Sequence, residues 1–269
     1  IDPANHKYTP AGGLPALKEA LVVKTQRDSG WRPEVSQVLV TNGGKHAVYN
    51  TFAALLNPGD EVLLPAPYWT TYPDQVNIAR AEPIAVFGAE SRDFKITADD
   101  LDAVCSEQTR GLILNTPSNP TGAVYSLEEL EAIAIWARDR SAWLICDEIY
   151  RNIYHDADRV AAPGILELPE SSLGDFVLID GVSKSYAMTG WRMGYGVWPK
   201  TLIEGATRLA INCHSCVNAA SQFAGIAALE GPQSDVDDMV QAFDRRRGII
   251  VEALNQIPGI TCAGSGGAF

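Results

Sequence analysis

The chain has 269 residues, of which 46% are hydrophobic and 20% are charged, and its 21 basic and 33 acidic residues give a formal net charge of −12. This apolar fraction can fill a core, so the composition excludes a disordered, collagen-like or disulfide-dominated chain, and the length predicts one large domain or one domain with part of another. The acidic balance predicts that neither nucleic acid nor a membrane surface is a partner, because both carry negative charge.

Five cysteines without regular spacing predict a reducing compartment, and we therefore expect a cytoplasmic protein. The N-terminal residues contain neither a basic leader nor an apolar run. The stretch 209–229 has no Asp, Glu, Lys or Arg but contains several polar side chains. We interpret it as a buried helix with its approach loop, and not as a membrane span.

Short apolar runs of strand length alternate along the chain with longer segments of helical spacing. The runs are 38–40, 62–64, 112–114, 143–146 and 177–179. Thr97 with Asp100, and Ser126 with Glu129, predict the starts of two of the helices, the second of which continues through Ala137. This alternation predicts an α/β domain in which helices cover both faces of a mostly parallel sheet.

A helix-breaking pair, Gly231-Pro232, precedes a long helical pattern that runs from Ser234 to Ile257. No comparable change in composition occurs earlier in the chain. We therefore expect one domain over residues 1–230 and the beginning of a second domain over residues 231–269.

Ligands of parallel sheets bind at the carboxyl ends of the strands, so the residues after each predicted strand are the candidate site. In chain order these residues are Gly43, Gly44, Lys45, Tyr68, Trp69, Asn119, Asp147, Tyr150, Ser183 and Lys184. Loops of arbitrary function would rarely carry so many residues capable of chemistry. The pattern predicts one site at this edge of the sheet.

The turn Gly43-Gly44-Lys45 stands where a strand gives way to a helix. Glycines let the backbone approach an anion closely, and the start of a helix favours a phosphate. An ordinary tight turn is the other interpretation. A nucleotide-binding Walker A loop is excluded, because Leu39 and His46 occupy positions at which that motif needs a glycine and a hydroxyl residue.

Lys184 lies between two serines on a loop after a predicted strand. Partial removal from water favours the free amine, a nucleophile that can form a Schiff base, although a solvated lysine is the commoner case. Asp147, Trp69, the glycine turn and Arg192 complete the groups that a pyridoxal phosphate site needs. They include a carboxylate that keeps the pyridine nitrogen protonated.

Six segments stand in order along the chain: YTPAGGLPALKEAL, TNGGKHAVYN, PGDEVLLPAPYW, NTPSNPTG, CDEIY and GVSKSYAMTGWRMGY. Together they resemble the class I and II aminotransferases of fold type I, in particular the bacterial aspartate aminotransferase (aspartate/prephenate) branch. The resemblance implies a three-layer α/β/α large domain with a mostly parallel sheet, followed by the start of a small α+β domain. It also implies pyridoxal 5'-phosphate as the cofactor, amino acid and 2-oxo acid substrates, and a homodimer with shared active sites.

The resemblance implies a role for each residue around the cofactor ring. Lys184 would form the Schiff base and later move a proton between substrate and cofactor. Asp147 would pair with the pyridine nitrogen, while Asn119 and Tyr150 would hydrogen-bond the 3' oxygen. Trp69 would stack on the ring, and Trp69 and Asn119 would also contact the substrate.

Around the phosphate, the resemblance implies contacts from Gly43, Gly44 and Lys45 at the turn and from the guanidinium of Arg192. Tyr8 would reach across the dimer interface to the partner's phosphate. In this branch the lysine at position 45 is associated with the distal carboxylate of acidic substrates. Lys45 would then favour aspartate or glutamate, or else it would only support the phosphate turn.

The implied reaction is the ping-pong transfer of an amino group from an amino acid, with aspartate or glutamate expected, to a 2-oxo acid. The alternatives are a pyridoxal phosphate-dependent β-lyase, an aminotransferase specific for aromatic amino acids, alanine or prephenate, and a catalytically incomplete fragment. The last arises because the resemblance places a glycine segment before Ile1 and a substrate-binding arginine after Phe269. We accordingly expect a fragment that lacks both ends.

One position and one segment depart from the family pattern. Gly181 stands where many members have a serine that contacts the phosphate. Cys213 and Cys216 flank His214 in a segment where the family is rich in serine and threonine. Because no second pair of ligands accompanies them, we expect no metal site there and interpret the segment as a packed loop near the subunit interface.

Overall fold

The computed structural model describes residues 6–156 and 158–268, so the two termini at which we expect missing segments lie outside the described residues. The strands are β1 (Val38–Thr41), β2 (Glu61–Ala66), β3 (Glu82–Phe87), β4 (Thr109–Asn115), β5 (Trp143–Asp147), β6 (Phe176–Gly181) and β7 (Gly194–Val197). The helices are α1 (Pro15–Ser29), α2 (Gly44–Leu55), α3 (Thr71–Ile78), α4 (Ala98–Asp102), α5 (Leu127–Asp139), α6 (Val182–Ser185), α7 (Ile203–His214), α8 (Ala219–Glu230) and α9 (Ser234–Asn255).

All seven strands form one sheet in the order β1-β7-β6-β5-β4-β2-β3. β7 runs antiparallel to both of its neighbours, and the remaining pairs are parallel. The expectation of a mostly parallel sheet is confirmed. As a result the carboxyl ends of β1, β2, β4, β5 and β6 lie at one edge of the sheet.

Helices cover both faces of the sheet, which confirms the three-layer α/β/α architecture. One core contains Leu17 of α1 and Ile133 of α5, and the other contains Phe52 of α2, Val76 of α3 and Ala210 of α7. Successive residues of a strand point to opposite faces, so a central strand must be apolar at every position. Complete burial of one large side chain such as Phe52 contributes about 2 kcal/mol.

The hydrogen bonds that begin α4 and α5 confirm both predicted helix starts. The Ser126 hydroxyl accepts a hydrogen bond from the Glu129 backbone N–H at 3.2 Å, and the Glu129 carboxylate accepts one from the Ser126 N–H at 2.8 Å. Thr97 and Asp100 make the same reciprocal pair at α4. These contacts satisfy N–H groups that have no partner within the helix.

The structure corrects the sequence interpretation at three elements. β3 and β7 are strands that the apolar runs did not predict. The stretch 209–229 is not one helix with an approach loop, because it contains the end of α7 and most of α8, with a short connection over 215–218. α8 is also only partly buried, since Phe223 is exposed. None of the helices within 6–156 and 158–268 is long and apolar enough to cross a membrane.

The long helix predicted after Gly231-Pro232 is confirmed as α9. None of its described residues is buried, whereas α1, α2 and α5 each bury several side chains. The separation into domains at residue 231 stays a prediction.

Candidate active site

A cavity of about 400 Å³ opens at the edge of the sheet where the carboxyl ends of the strands meet. It is lined by most of the residues that the sequence predicted: Gly44, Lys45, Trp69, Asn119, Asp147, Tyr150, Ser183, Lys184 and Arg192. Tyr72, Asn115, Ile149 and Thr189 also line it. The topology thus brings together residues from loops that are far apart in the sequence.

The glycine turn lies directly beneath the guanidinium of Arg192. Gly43 has φ +81°, and a Cβ atom at this position would stand 2.5 Å from Nη2 of Arg192. Gly194, at the start of β7, is equally constrained, because its Cβ would stand 2.4 Å from the backbone N of Gly44. These positions need glycine to let the turn, the sheet edge and Arg192 approach one another.

Arg192 is held in place by two backbone carbonyl groups. Its Nη1 donates a hydrogen bond to the Thr189 carbonyl at 2.9 Å, and its Nη2 donates one to the Asn42 carbonyl at 3.4 Å. The cation therefore stands at the N-terminal end of α2, where the helix dipole is also positive. A guanidinium beside a helix start is a suitable arrangement for binding phosphate or carboxylate.

Asp147 is a buried carboxylate at the end of β5. Its Oδ2 accepts a hydrogen bond from the Tyr72 hydroxyl at 2.6 Å, and its Oδ1 accepts one from the Ile149 N–H at 3.2 Å. Burial raises the pKa of Asp147 to about 6, although these hydrogen bonds oppose the shift. No basic side chain of the described part forms an ion pair with Asp147. A cationic ligand at this carboxylate would compensate its burial.

Tyr72 is the main site residue that the sequence analysis missed. It lies three residues after Trp69, and the two rings meet edge to face with centroids 5.4 Å apart. Burial, and then the nearby Asp147 carboxylate, raise the pKa of Tyr72 well above its usual range, so its hydroxyl remains a donor. Trp69 lies just before α3, and its carbonyl accepts a hydrogen bond from the Tyr72 N–H at 3.1 Å. The signal in the sequence that could have identified Tyr72 is an aromatic residue three positions after Trp69.

Asn119 and Tyr150 lie on one side of the cavity. Nδ2 of Asn119 donates a hydrogen bond to the Tyr150 hydroxyl at 3.3 Å, and its backbone N–H donates to Oδ1 of Asn115 at 2.8 Å. Asn115, a second residue missed in the sequence, in turn donates to the Asp147 carbonyl at 2.8 Å. This chain of hydrogen bonds fixes the loop after β4 relative to the end of β5.

Two amines face aromatic rings in the cavity. Nζ of Lys184 lies 5.5 Å from the centre of the Tyr150 ring, and Nζ of Lys45 lies 4.8 Å from the centre of the Trp69 ring. Lys184 is half-buried, as predicted, whereas Lys45 is exposed at the rim. Attraction between a cation and an aromatic face contributes about 0.5–1 kcal/mol at exposed sites such as the one at Lys45.

Tyr8 does not lie in this cavity. It is 90% exposed, and together with Trp191 and Phe223 it lines a separate depression on the surface. Its predicted contact with a partner's phosphate is therefore not made within this chain and stays a prediction.

Gly181 and the cysteine segment also have defined surroundings. A Cβ at Gly181 would stand 3.0 Å from the Gly194 Cα, so this site has little room for the serine that many family members carry. The interpretation of this segment as a packed loop is wrong in part, because Cys213 and His214 end α7 and Cys213 is exposed. Cys213 and Cys216 are free thiols. No group of three or more potential metal ligands was found among the described residues. The expected position of this segment near a subunit interface stays a prediction.

The chain is similar in sequence and structure to known aminotransferases. The model of the family "aminotransferase class I and II" matches residues 1–269. The chain is 46% identical to an aspartate aminotransferase of Streptomyces avermitilis, over 100% of this chain and 65% of that protein. Among solved structures, it resembles an aspartate aminotransferase from Rhizobium meliloti, with TM-score 0.93 and 38% identity over 98% of this chain and 66% of that one. It also resembles an aromatic aminotransferase from Pyrococcus horikoshii, with TM-score 0.94 and 31% identity over 100% and 72% of the two chains.

The chain thus spans about two thirds of the length of these relatives. The match nevertheless covers every residue of the chain, and the motifs around Gly44, Asp147 and Lys184 come together in one cavity. The chain therefore belongs to the class I and II aminotransferase family.

Proposed function

We propose that the chain is the cofactor-binding part of a pyridoxal phosphate-dependent aminotransferase. The whole enzyme would transfer an amino group from an amino acid to a 2-oxo acid by a ping-pong mechanism. The observation that carries the proposal is the presence, in one cavity, of the Lys184 amine, the buried Asp147 carboxylate and the glycine turn beneath Arg192.

The residues of the cavity fit pyridoxal phosphate group by group. Gly43, Gly44 and Arg192 suit its phosphate, for the electrostatic reasons given above. Asp147 suits the pyridine nitrogen, because a protonated ring would place a cation in direct contact with a buried carboxylate that forms no ion pair with the described residues. Trp69 offers a flat apolar face for the ring. When bound, pyridoxal phosphate supplies an electron sink for the bond-breaking step at the substrate α-carbon.

In this proposal Lys184 has two roles. Its Nζ would hold the cofactor covalently, and as a free amine the same Nζ would serve as the base that accepts the proton of the substrate α-carbon and as the acid that returns it. Tyr150 and Asn119 would orient the cofactor by hydrogen bonds to its ring oxygen. Asp147 would hold a proton on the pyridine nitrogen, because its negative charge would stabilise the protonated ring.

For the substrate we propose a dicarboxylic amino acid such as aspartate or glutamate. The exposed ammonium of Lys45 at the cavity rim supports this, since it could meet a distal carboxylate, with Trp69 and Asn119 as the neighbouring substrate contacts. The names of the Streptomyces and Rhizobium relatives point in the same direction. We further propose a cytoplasmic homodimer in which Tyr8 of one subunit serves the site of the other.

Covalent labelling tests the cofactor assignment. The chain is incubated with pyridoxal phosphate, reduced with borohydride and digested, and the modified lysine is identified by mass spectrometry. We expect the label on Lys184, together with a long-wavelength absorbance band that Lys184→Ala abolishes and Lys200→Ala, at an exposed surface lysine, retains. Labelling spread equally over surface lysines would contradict the proposal.

The reaction is tested with the full-length protein. Amino transfer from aspartate to a 2-oxo acid should exceed transfer from aromatic and branched amino acids. Release of pyruvate and ammonia from cystathionine without an oxo-acid acceptor would instead indicate a β-lyase. A labelled chain that transfers no amino group would indicate a catalytically incomplete fragment.

A further inference from the structure

A cluster of buried charges lies behind the cavity, on the α1 side of the sheet. Nζ of Lys24 donates hydrogen bonds to Oδ2 of Asp28 and to Oδ2 of Asp180, both at 2.8 Å. The side chains of Lys24, Asp28 and Asp180 are only 4%, 1% and 5% exposed. We call these three residues the α1 ion-pair cluster. None of them lines the cavity.

The first connection of the cluster leads to the segment that carries Lys184. Asp180 lies on β6, four residues before Lys184, and its Oδ1 accepts a hydrogen bond from the Gly181 N–H at 2.6 Å. Its Oδ2 also accepts one from the Tyr195 hydroxyl at 3.0 Å. Through Asp180, Lys24 is therefore hydrogen-bonded to the junction between β6 and α6, the short helix that contains Lys184.

The second connection leads to the segment that carries Tyr150. Oδ2 of Asp28 accepts a hydrogen bond from Nδ2 of Asn152 at 3.1 Å, and the Asp28 carbonyl accepts one from Nη2 of Arg151 at 3.0 Å. Arg151 in turn pairs with Glu148 at 3.3 Å. The two residues that follow Tyr150 are thus hydrogen-bonded to the last turn of α1, and Glu148, which precedes it, is connected to that turn through Arg151.

Lys24 and Asp28 are one helical turn apart, so they lie on the same face of α1. Burial opposes the charge on Asp28, but Lys24 and Arg27 more than offset it and keep the pKa of Asp28 well below its usual range. Removing charges from water is costly, and a buried ion pair often stabilises a protein no more than well-packed apolar residues of the same volume do. Stability alone therefore does not explain why these charges occupy the interior.

We infer that Lys24, Asp28 and Asp180 are positioning residues, which hold the Lys184 segment and the Tyr150 segment in fixed relation to each other from behind the cavity. The inference rests on the proposed function only in that Lys184 and Tyr150 act on the cofactor. The positioning itself is a property of the fold. A displacement of reacting groups by a fraction of an ångström slows a reaction, so α1 contributes to the site without touching it.

A charge-neutral double variant tests the inference. Lys24→Met alone would leave Asp180 without its cation, whereas Asp28 keeps its ion pair with Arg27 at 2.7 Å. It is therefore combined with Asp180→Asn, whose Oδ1 can still accept from the Gly181 N–H and whose Nδ2 can donate to the Tyr195 hydroxyl oxygen. We expect this variant to fold. Its amides at 149–152 and 181–185 should exchange hydrogen faster than in the wild type, and labelling of Lys184 by pyridoxal phosphate should slow about tenfold. The pH midpoint of the bound cofactor's absorbance should also shift, which a loss of stability alone would not cause.

The matched control is the double variant Lys95→Met/Glu129→Gln. It removes an ion pair that lies outside the cavity, and the glutamine oxygen can still accept the hydrogen bond from the Ser126 N–H that begins α5. It should leave the exchange at both segments, the labelling rate and the pH midpoint unchanged. A folded Lys24→Met/Asp180→Asn variant that matches this control in all three measurements would overturn the inference.

A second variant remains informative if the double variant fails to fold. Asn152→Ala removes the 3.1 Å bond to Asp28 without removing a charge. It should accelerate exchange at 149–152 and leave 181–185 unchanged, and unchanged exchange at both segments would overturn the second connection. If the exchange results are as expected but pyridoxal phosphate does not label wild-type Lys184, the proposed function fails while the positioning role stands.

Discussion

The hydroxyl of Tyr72 donates a 2.6 Å hydrogen bond to Oδ2 of Asp147, and both side chains are buried. Tyr72 is fixed on α3 by a core that also contains Val76, whereas Asp147 ends a central strand. A short hydrogen bond to a carboxylate stabilises its charged form, and does so more strongly out of water. Tyr72 therefore keeps Asp147 more easily ionised than burial alone would allow.

Replacement of Tyr72 by Phe tests this relationship. The ring and its packing remain, but Asp147 loses a hydrogen bond worth about 1.5 kcal/mol, so its pKa should rise by about one unit. Carbon-13 NMR of the labelled aspartate carboxyl group measures the change. Tyr186→Phe is the control, because it removes a hydroxyl that donates to Gln233. An equal shift in both variants, or none in Tyr72→Phe, would contradict the role of Tyr72.

Asp147 should also make the stability of the cofactor-free chain depend on pH. Burial raises its pKa from 3.8 in the unfolded chain to about 6 in the folded one. Between these values the folded state binds more protons, so the free energy of unfolding decreases as pH rises through this window and is lowest above it. A shift of this size corresponds to about 3 kcal/mol as an upper limit.

Replacement of Asp147 by Asn removes this titration. In urea denaturation, the stability of the Asn variant relative to wild type should increase by about 2 kcal/mol as pH rises from acidic to neutral. The lower stability of the wild type relative to the Asn variant at neutral pH should become smaller when pyridoxal phosphate is bound, because a protonated ring would pair with the Asp147 carboxylate. A relative stability that stays constant with pH would show that Asp147 is not the titrating group.

The glycine turn allows a test with a closely matched control. Gly43 and Gly30 both have positive φ, +81° and +77°, but only at Gly43 would a Cβ meet Arg192, while at Gly30 it would meet no described atom within 4 Å. Both alanine variants should lose about 1 kcal/mol or more of stability through backbone strain. Only Gly43→Ala should also weaken binding of pyridoxal phosphate, measured by fluorescence titration. Equal affinity in the two variants would argue against phosphate binding at this turn.

The parts of the fold that follow from local chemistry were predictable from the sequence. Ser126 and Glu129 are three residues apart and begin a helix by bonding to each other, and such a pair is visible in any stretch of sequence. The apolar runs identified five strands of the sheet because both faces of those strands are covered. Their order in the chain also located the edge at which Asp147 and Lys184 meet.

The remaining features depend on contacts between distant segments. β7 contains Gly194 and Gly196, which have low strand propensity, and it forms because β1 and β6 pair with it on both sides. Lys24 and Asp180 are 156 positions apart, so no local pattern links them. Tyr72 could have been identified as a site residue from its spacing to Trp69. Its hydrogen bond to Asp147 could not, because that contact follows only from the packing of α3 on the sheet.

The role of Lys45 can be decided by comparing two kinds of anion. If Lys45 meets a distal carboxylate, Lys45→Met should weaken binding of succinate to the pyridoxal phosphate-loaded chain about tenfold, which corresponds to about 1.4 kcal/mol, and leave acetate binding unchanged. Lys200→Met, at an exposed lysine paired with Glu34, serves as the control. If Lys45 only supports the phosphate turn, Lys45→Met should lower the affinity for the cofactor itself. The affinity for succinate should then fall no more than the affinity for acetate.

The close surroundings of Gly181 predict that the serine found in many family members will not strengthen cofactor binding in this chain. A Cβ at Gly181 would stand 3.0 Å from the Gly194 Cα and 3.1 Å from both Cδ1 of Ile149 and the Met193 carbonyl oxygen, so the sheet edge and the loop after β5 must move to accept it. Overpacking of this kind costs about 1–3 kcal/mol, and we expect Gly181→Ser to unfold at correspondingly lower urea concentration. Gly190→Ser, where an added Cβ meets no described atom within 4 Å, should change stability by less than half as much. Stronger binding of pyridoxal phosphate by Gly181→Ser without a loss of stability would mean that the gap between β6 and β7 accommodates a side chain after all.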